Sequence, residues 1–244
     1  MSAEPGPAAS GDAFSGVLTL AIDVQPDEVR RLLGGGGEAG TASAGQVQTG
    51  PAPAGVAPAG RRSAKLEAAL DVWWPRALAL LGPRGAWRIV PGAAAAAAGM
   101  PEPGAWVGVG LCTIGDALEA ESSRLAATDL LAALVVDAVG SAAAEAAADA
   151  LNARLCAQAV ARGLFAAPRL SPGYGAWDVA RQERLLALLP AAALGVTLTS
   201  GQMMRPRKSV SFAVPLLPAP PADAAGSPCE RCGLRHCRHR RAPA

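Results

Sequence analysis

Three clusters of residues in this sequence have side chains and spacings suited to chemistry. The first runs Arg169-Leu170-Ser171-Pro172-Gly173-Tyr174. Pro172 pre-sets φ and Gly173 tolerates a positive φ, so a tight turn is predicted there. Such a turn holds Tyr174 beside Arg169. A guanidinium in that position can take a carboxylate in bidentate fashion, and the tyrosine can pack on a ring or on a sulfonium methyl. The same residues also make an ordinary structural turn, with Arg169 satisfying a nearby carbonyl or aspartate. The second cluster has the spacing C-x2-C-x4-C, at Cys229, Cys232 and Cys237, and His236 and His239 are the only histidines in the chain. Three thiolates and one further ligand such as His239 would complete a four-coordinate zinc or iron–sulfur site. The neighbouring arginines Arg231, Arg235, Arg238, Arg240 and Arg241 would lower the thiol pKa values. The alternative is a basic tail with adventitious thiols. The third cluster is Met203-Met204-Arg205-Pro206-Arg207-Lys208. It reads either as core methionines beside a solvated basic turn, or as a basic rim that meets an acidic partner or the polar edge of a large cofactor.

These clusters must be held by a scaffold, and the bulk properties limit what that scaffold can be. The 244 residues suffice for one sizeable domain with appendages. Half the chain is hydrophobic, but much of that is alanine, and aromatics make up only 4%. Leu and Val must therefore supply the core bulk, with helices packed closely through Ala. A formal net charge of +2 gives no electrostatic case for nucleic acid. The first dozen residues lack the basic start and apolar run of a signal peptide. The most apolar helical stretch, Leu130 to Ala150, carries Asp137, Glu145 and Asp149, which would be costly in lipid. A cytoplasmic protein with no membrane partner is the expectation. Cys112 and Cys156 sit singly in apolar segments, as small buried hydrophobes do. There is no G-x-G-x-x-G or G-x-x-x-x-G-K-[ST] motif, and no nucleophile–base constellation for an enzyme turning over by itself.

Residues 1–16 read as a disordered tail. Leu18, Leu20 and Ile22 alternate as in a half-buried strand, and Pro26 opens a helix that Gly34 to Gly37 end. Residues 34–60 are Gly/Ala/Pro-rich and read as a flexible insert in a domain spanning 17–217. A helix is predicted from Ser63 to Leu81, with Leu66, Leu70, Trp73, Leu78 and Leu81 inward. Strands are predicted at Ala86–Val90 and Trp106–Cys112, the second with glycines that permit close approach. The alanines at 93–98 read as linker. Helices follow over Ile114–Leu125 and Thr128–Arg162, the latter with Gly140 as a kink point and Gly163 as its stop. Asp178 is a candidate cap for a helix to Leu189. Gly195–Thr199 and Ser209–Val214 alternate as a strand and its return strand around the basic turn. Residues 218–244 read as linker and cysteine-rich tail. The mixed element order predicts an α+β fold: an antiparallel or mixed twisted sheet packed with long Ala-rich helices.

Three stretches, Val135–Leu155, Arg169–Leu189 and Leu194–Val210, together resemble the activation domain of cobalamin-dependent methionine synthase. They resemble still more its stand-alone form with a cysteine-rich end. Val17–Gly34 and Thr113-Ile114-Gly115 fit the same pattern. The resemblance implies that Arg169, and through the backbone Ser171 and Gly173, contact S-adenosylmethionine. It implies that Tyr174 faces the corrin, and that an acidic residue of the long helix, Glu145 or Asp149, joins the site. It also implies a function: presenting S-adenosylmethionine to remethylate cob(II)alamin in a partner methionine synthase or related corrinoid protein, after an electron donor supplies one electron. The fused enzyme carries a tyrosine pair on a later strand, whereas this chain has one tyrosine in all, Tyr174. That edge of the pocket is absent or rebuilt. Two other functions are compatible with the sequence: a metal or redox module acting through the tail cysteines, and a non-catalytic docking protein for a corrinoid methyltransferase.

Overall fold

The longest element is a helix of 31 residues, and the rest of the chain is arranged around it. The computed structural model describes residues 13–35 and 63–220. In chain order the elements are β1 (Ala13–Phe14), β2 (Leu18–Thr19), α1 (Pro26–Arg30), α2 (Ala64–Ala79), β3 (Arg84–Pro91), α3 (Gly92–Ala97), β4 (Trp106–Thr113), α4 (Ala117–Leu125), α5 (Leu130–Val160), β5 (Phe165–Ala166), α6 (Gln182–Leu186), α7 (Ala191–Leu194), β6 (Thr197–Leu198), β7 (Met204–Arg205) and β8 (Ser209–Leu217). The main sheet is antiparallel in the order β1-β3-β4-β8-β5, with β2 also on β3. The α+β class expected from the sequence is the one observed.

Strand alternation sorts the core onto two faces. Trp87, Ile89, Cys112, Phe212, Val214 and Leu216 point to the side covered by α1, α2, α4 and α5. Ala86, Val90, Val107, Val109, Leu111 and Ala213 point to the other side, where Trp177, α6 and α7 cover them. Two glycines, Gly85 and Gly108, let α5 come close to the sheet, and a third, Gly110, makes room for Phe212. An added Cβ at Gly85 would sit 3.1 Å from Leu151 Cδ2, one at Gly108 2.4 Å from Leu155 Cδ2, and one at Gly110 2.4 Å from Phe212 Cζ. Alanine on the facing side of α5 (Ala143, Ala147, Ala148) completes the close fit and favours the helix intrinsically. Asp129 caps α5, its carboxylate accepting from Ala132 N–H at 3.0 Å. Gly163, with φ +70°, follows its end. By length and composition α5 could cross a membrane, but most of its most apolar stretch is buried here against the core.

Several local expectations are corrected. Gly140 neither kinks nor divides α5. It is a packing glycine, where a Cβ would meet Leu118 Cδ2 at 2.7 Å. The alanines at 93–97 lie in α3 rather than in a linker, because Ala95 buries, with Ala94 beside it, against the core on the Trp177 side of the sheet. Leu78 of α2 is exposed. Ala13–Phe14, within the stretch read as tail, pairs with β3. Ser209 onward is not the return strand of a hairpin around the basic turn. The hairpin is β6 with β7, turning at 199–203, and β8 enters the main sheet between β4 and β5. The helix expected from Asp178 to Leu189 is broken into a 3-10 turn at Val179–Arg181 and the short α6, and Asp178 does cap the turn through Ala180 N–H at 2.9 Å. Residues 36–60 of the glycine-rich insert and 221–244, including Cys229, Cys232, Cys237 and His239, lie outside the described residues.

Candidate functional site

Beyond β5 the chain continues alongside β8: Ala167 N–H donates to Pro215 O at 2.9 Å, and Leu170 and Ala213 exchange two backbone hydrogen bonds of 2.8 Å. This pairing places Arg169 at the sheet edge next to α5. Its Nη2 donates to Glu145 Oε2 at 2.9 Å, and its Nη1 lies 2.8 Å from Asp149 Oδ1. Glu145 and Asp149 are four residues apart, one turn along the same helix face. Beneath the guanidinium lies the Phe212 ring, with its centroid 5.8 Å away, in range of a cation–π contact. Phe212 is fully buried and occupies the space that the missing Cβ of Gly110 leaves. A glycine on β4 thus makes room for a ring on β8, and the ring supports the arginine.

The guanidinium is not fully satisfied. Nη1 is buried and has no hydrogen-bond partner. Asp149 is near enough for an ion pair, but the N–H vectors of Nη1 are not directed at its oxygen.

The turn that follows is tightly bonded. Tyr174 N–H donates to Ser171 O at 3.1 Å, Gly173 N–H to Trp177 O at 2.7 Å, and Trp177 N–H to Tyr174 O at 3.1 Å. Gly173 has φ +92° and Gly175 φ +57°, so the two reversals need glycine. Trp177 is buried in the second core, and its Nε1 donates to Ala98 O at 3.3 Å. The turn is therefore pinned to the end of α3, and Tyr174 is left 61% exposed beside it. Ser171 O and Gly173 N–H are spent inside the turn. A ligand would have to use other backbone groups here.

The structure thus brings three sequence-derived candidates (Arg169, Glu145, Asp149) together, while Tyr174 lies exposed in the turn that follows. Phe212, Gly110 and Trp177 were not singled out as site residues from the sequence. The only signal for Phe212 and Gly110 was their place in alternating strands; Trp177 had only its nearness to the turn.

The stripe of α5 that holds Arg169 extends further. One and two turns toward its start, Lys208 Nζ lies 2.7 Å from Ser141 Oγ and 2.9 Å from Asp137 Oδ1. Arg207 pairs with Glu119 at 2.6 Å. These two basic residues of the third cluster fasten β8 to α4 and α5. Met204 packs partly against the second core, whereas Met203 is exposed. Cys112 is buried, and loss of solvation pushes its thiol up to about 12, so it is an unreactive packing residue. Among the described residues no group of three or more His, Cys, Asp or Glu is placed to hold a metal.

No protein-family model matches this chain, and no curated protein does. Among solved structures, a crystal structure of the MetH reactivation domain bound to AdoHcy is similar, with 19% identity and a TM-score of 0.48. The match covers 62% of this chain and 64% of that one, so it spans less than two thirds of that chain.

Proposed function

We propose that this chain binds S-adenosylmethionine at the Arg169 edge and presents its methyl group to a corrinoid carried by a separate methionine synthase. The observation that carries the reading is the Arg169 guanidinium held between two partly exposed carboxylates on one helix face. That arrangement suits the amino-acid end of the ligand. The α-carboxylate would take the guanidinium in a charge-assisted contact. The α-ammonium would take Glu145 and Asp149 as Arg169 is drawn away from them. The charges match as well. One guanidinium and two carboxylates have a net formal charge of −1, and the ligand, with an ammonium, a carboxylate and a sulfonium, carries +1. The exposed ring of Tyr174, in the turn that follows Arg169, would pack on the sulfonium. The resemblance of Val135–Leu155, Arg169–Leu189 and Leu194–Val210 to the activation domain supports the same assignment.

The contribution of the protein to such a transfer is placement. Bringing the methyl group and its acceptor into line replaces a bimolecular encounter by an intramolecular one. The corrinoid supplies the metal-centred chemistry and an external reductant supplies one electron. Nothing in this reading asks for a general acid or base at Arg169. The rigid turn, bonded internally and pinned by Trp177, keeps the ligand-facing atoms fixed. Tyr174 stands at the open edge, where a docked partner would cover it.

The test is a reconstitution. The full chain, S-adenosylmethionine and a one-electron reductant are incubated with a cob(II)alamin-loaded methionine synthase that lacks its own activation domain. The reading expects methylcobalamin to accumulate above a control without this protein. Equal rates with and without it would contradict the function.

A further inference from the structure

One cleft of this chain lies away from the Arg169 edge. It is an open cleft of about 670 Å³ formed by α6, α7 and the β6–β7 hairpin. Leu186, Leu189 and Val196 form its apolar floor, and these residues belong to the core on the sheet face opposite to α5. Glu183, Thr199 and Gln202 stand at its polar side. Its volume is in the range that holds a small organic molecule.

Two features set this cleft apart from an ordinary surface furrow. The first is Gln202. Its φ is +62°, a left-handed conformation unusual for a residue other than glycine or asparagine. It is held there by its N–H, which donates to Thr199 O at 3.0 Å, and by its carbonyl, which accepts from the buried Gln182 side chain at 3.4 Å. With the backbone fixed in this way, the side-chain Oε1 is buried and has no donor. Local strain combined with an orphaned buried acceptor is characteristic of binding sites. The second is charge. The lining contains the carboxylate of Glu183 and no Lys, Arg or His. Among the described residues Glu183 has no ion pair.

We infer that this cleft is a second binding site, for a small organic cation with an ammonium group on an apolar body. The apolar body would cover Leu186, Leu189 and Val196. The ammonium would supply the donor that Gln202 Oε1 lacks and the counter-charge for Glu183. An anion of the same size would meet a carboxylate and an acceptor with no cation among the lining residues, so it should bind more weakly. The inference is independent of the Arg169 reading, because the two sites share no residue and lie on opposite faces of the sheet.

The experiment titrates phenethylammonium into the full chain and follows backbone amide NMR signals, with phenylpropionate as the anion of matched size. The expected result is a saturable shift confined to signals from residues 183–202, in the millimolar range, with phenylpropionate binding more weakly. Glu183→Gln, an isosteric change at an exposed position that leaves the fold intact, should weaken binding by about tenfold or more, the range for loss of a charge-assisted bond. Arg169→Ala should leave the response unchanged. Four outcomes would overturn the inference: no saturation at millimolar probe, equal binding of the two probes, wild-type binding by Glu183→Gln, or loss of the response in Arg169→Ala. A parallel titration with S-adenosylmethionine shows whether the Arg169 site is working in the same preparation.

Discussion

Substituting Gly110 by alanine tests whether the sheet builds the Arg169 site from below. In the folded chain the new Cβ would lie 2.4 Å from Phe212 Cζ and 2.8 Å from both Phe212 Cε atoms. Ordinary carbon–carbon contact is about 3.5–4.0 Å, so the ring must retreat by roughly 1 Å or more. It has little room, because Phe212 is fully buried. Overpacking of this kind costs about 1–3 kcal/mol, which in a domain of this size lowers Tm by about 2–12 °C. The ring also carries the Arg169 guanidinium, so its displacement should weaken S-adenosylmethionine binding more than the stability loss explains. Gly82→Ala serves as the control. A Cβ there meets only Ile114 O at an ordinary 3.6 Å, and the residue is exposed. Its effect should stay within about 0.5 kcal/mol. Differential scanning calorimetry of the two variants, followed by ligand titration at a temperature where both are folded, gives the comparison. If Gly110→Ala melts with wild type and binds as wild type, Phe212 does not support the arginine and the construction of the site is wrong.

Three further predictions follow from separate parts of the structure. Cys112 has its thiol pKa raised from 9.0 to about 12 by burial. The unfolded chain therefore ionises first, and stability falls by about 1.4 kcal/mol per pH unit from this group between pH 9 and about 12; Cys112→Ala should lack that increment of slope in urea unfolding at pH 8, 9.5 and 10.5, and an identical slope would refute the burial argument. Asp129→Ala removes the side-chain acceptor of Ala132 N–H at the start of α5 and should cost about 1 kcal/mol, measured as a lower urea midpoint with unchanged m. Lys208→Ala leaves Asp137 without its cation at a position where the lysine is only 13% exposed. It should destabilise the chain by more than Arg124→Ala, whose pair with Glu121 is a surface contact.

Much of this fold was legible because its signals are local and periodic. The glycines of Trp106–Cys112 announced a close approach, and Gly108 and Gly110 make it. The long alanine helix is readable from composition and from its stop at Gly163, and the Asp178 cap from residue type. Other features depend on what lies across the molecule. Whether Gly140 bends a helix or seats Leu118 is decided by α4, and no pattern within α5 distinguishes the two. The alanines at 93–98 carry no periodicity, so their helix becomes visible only when the second core is there to bury Ala95. The partner of Ser209–Val214 was misassigned because alternation identifies a strand but not its neighbour, and β8 joins β4, about a hundred residues away in sequence. At the site itself, the chemistry of Arg169, Glu145 and Asp149 is written in residue type. Their meeting is not, since it depends on the chain beyond β5 running along β8 beside α5. The floor of Phe212 was likewise hidden, because an aromatic on an alternating strand reads as core.

The central claim is that Arg169 reads a ligand carboxylate while Glu145 and Asp149 read its ammonium. The most direct test compares calorimetric titrations of S-adenosylmethionine and its decarboxylated analogue, which keeps the sulfonium and the amine but lacks the carboxylate. The wild-type chain should prefer S-adenosylmethionine by about 10–100-fold, the range for a charge-assisted contact, and Arg169→Ala should erase that preference. Equal affinity of the wild-type chain for the two compounds, or an undiminished preference in Arg169→Ala, would contradict the account.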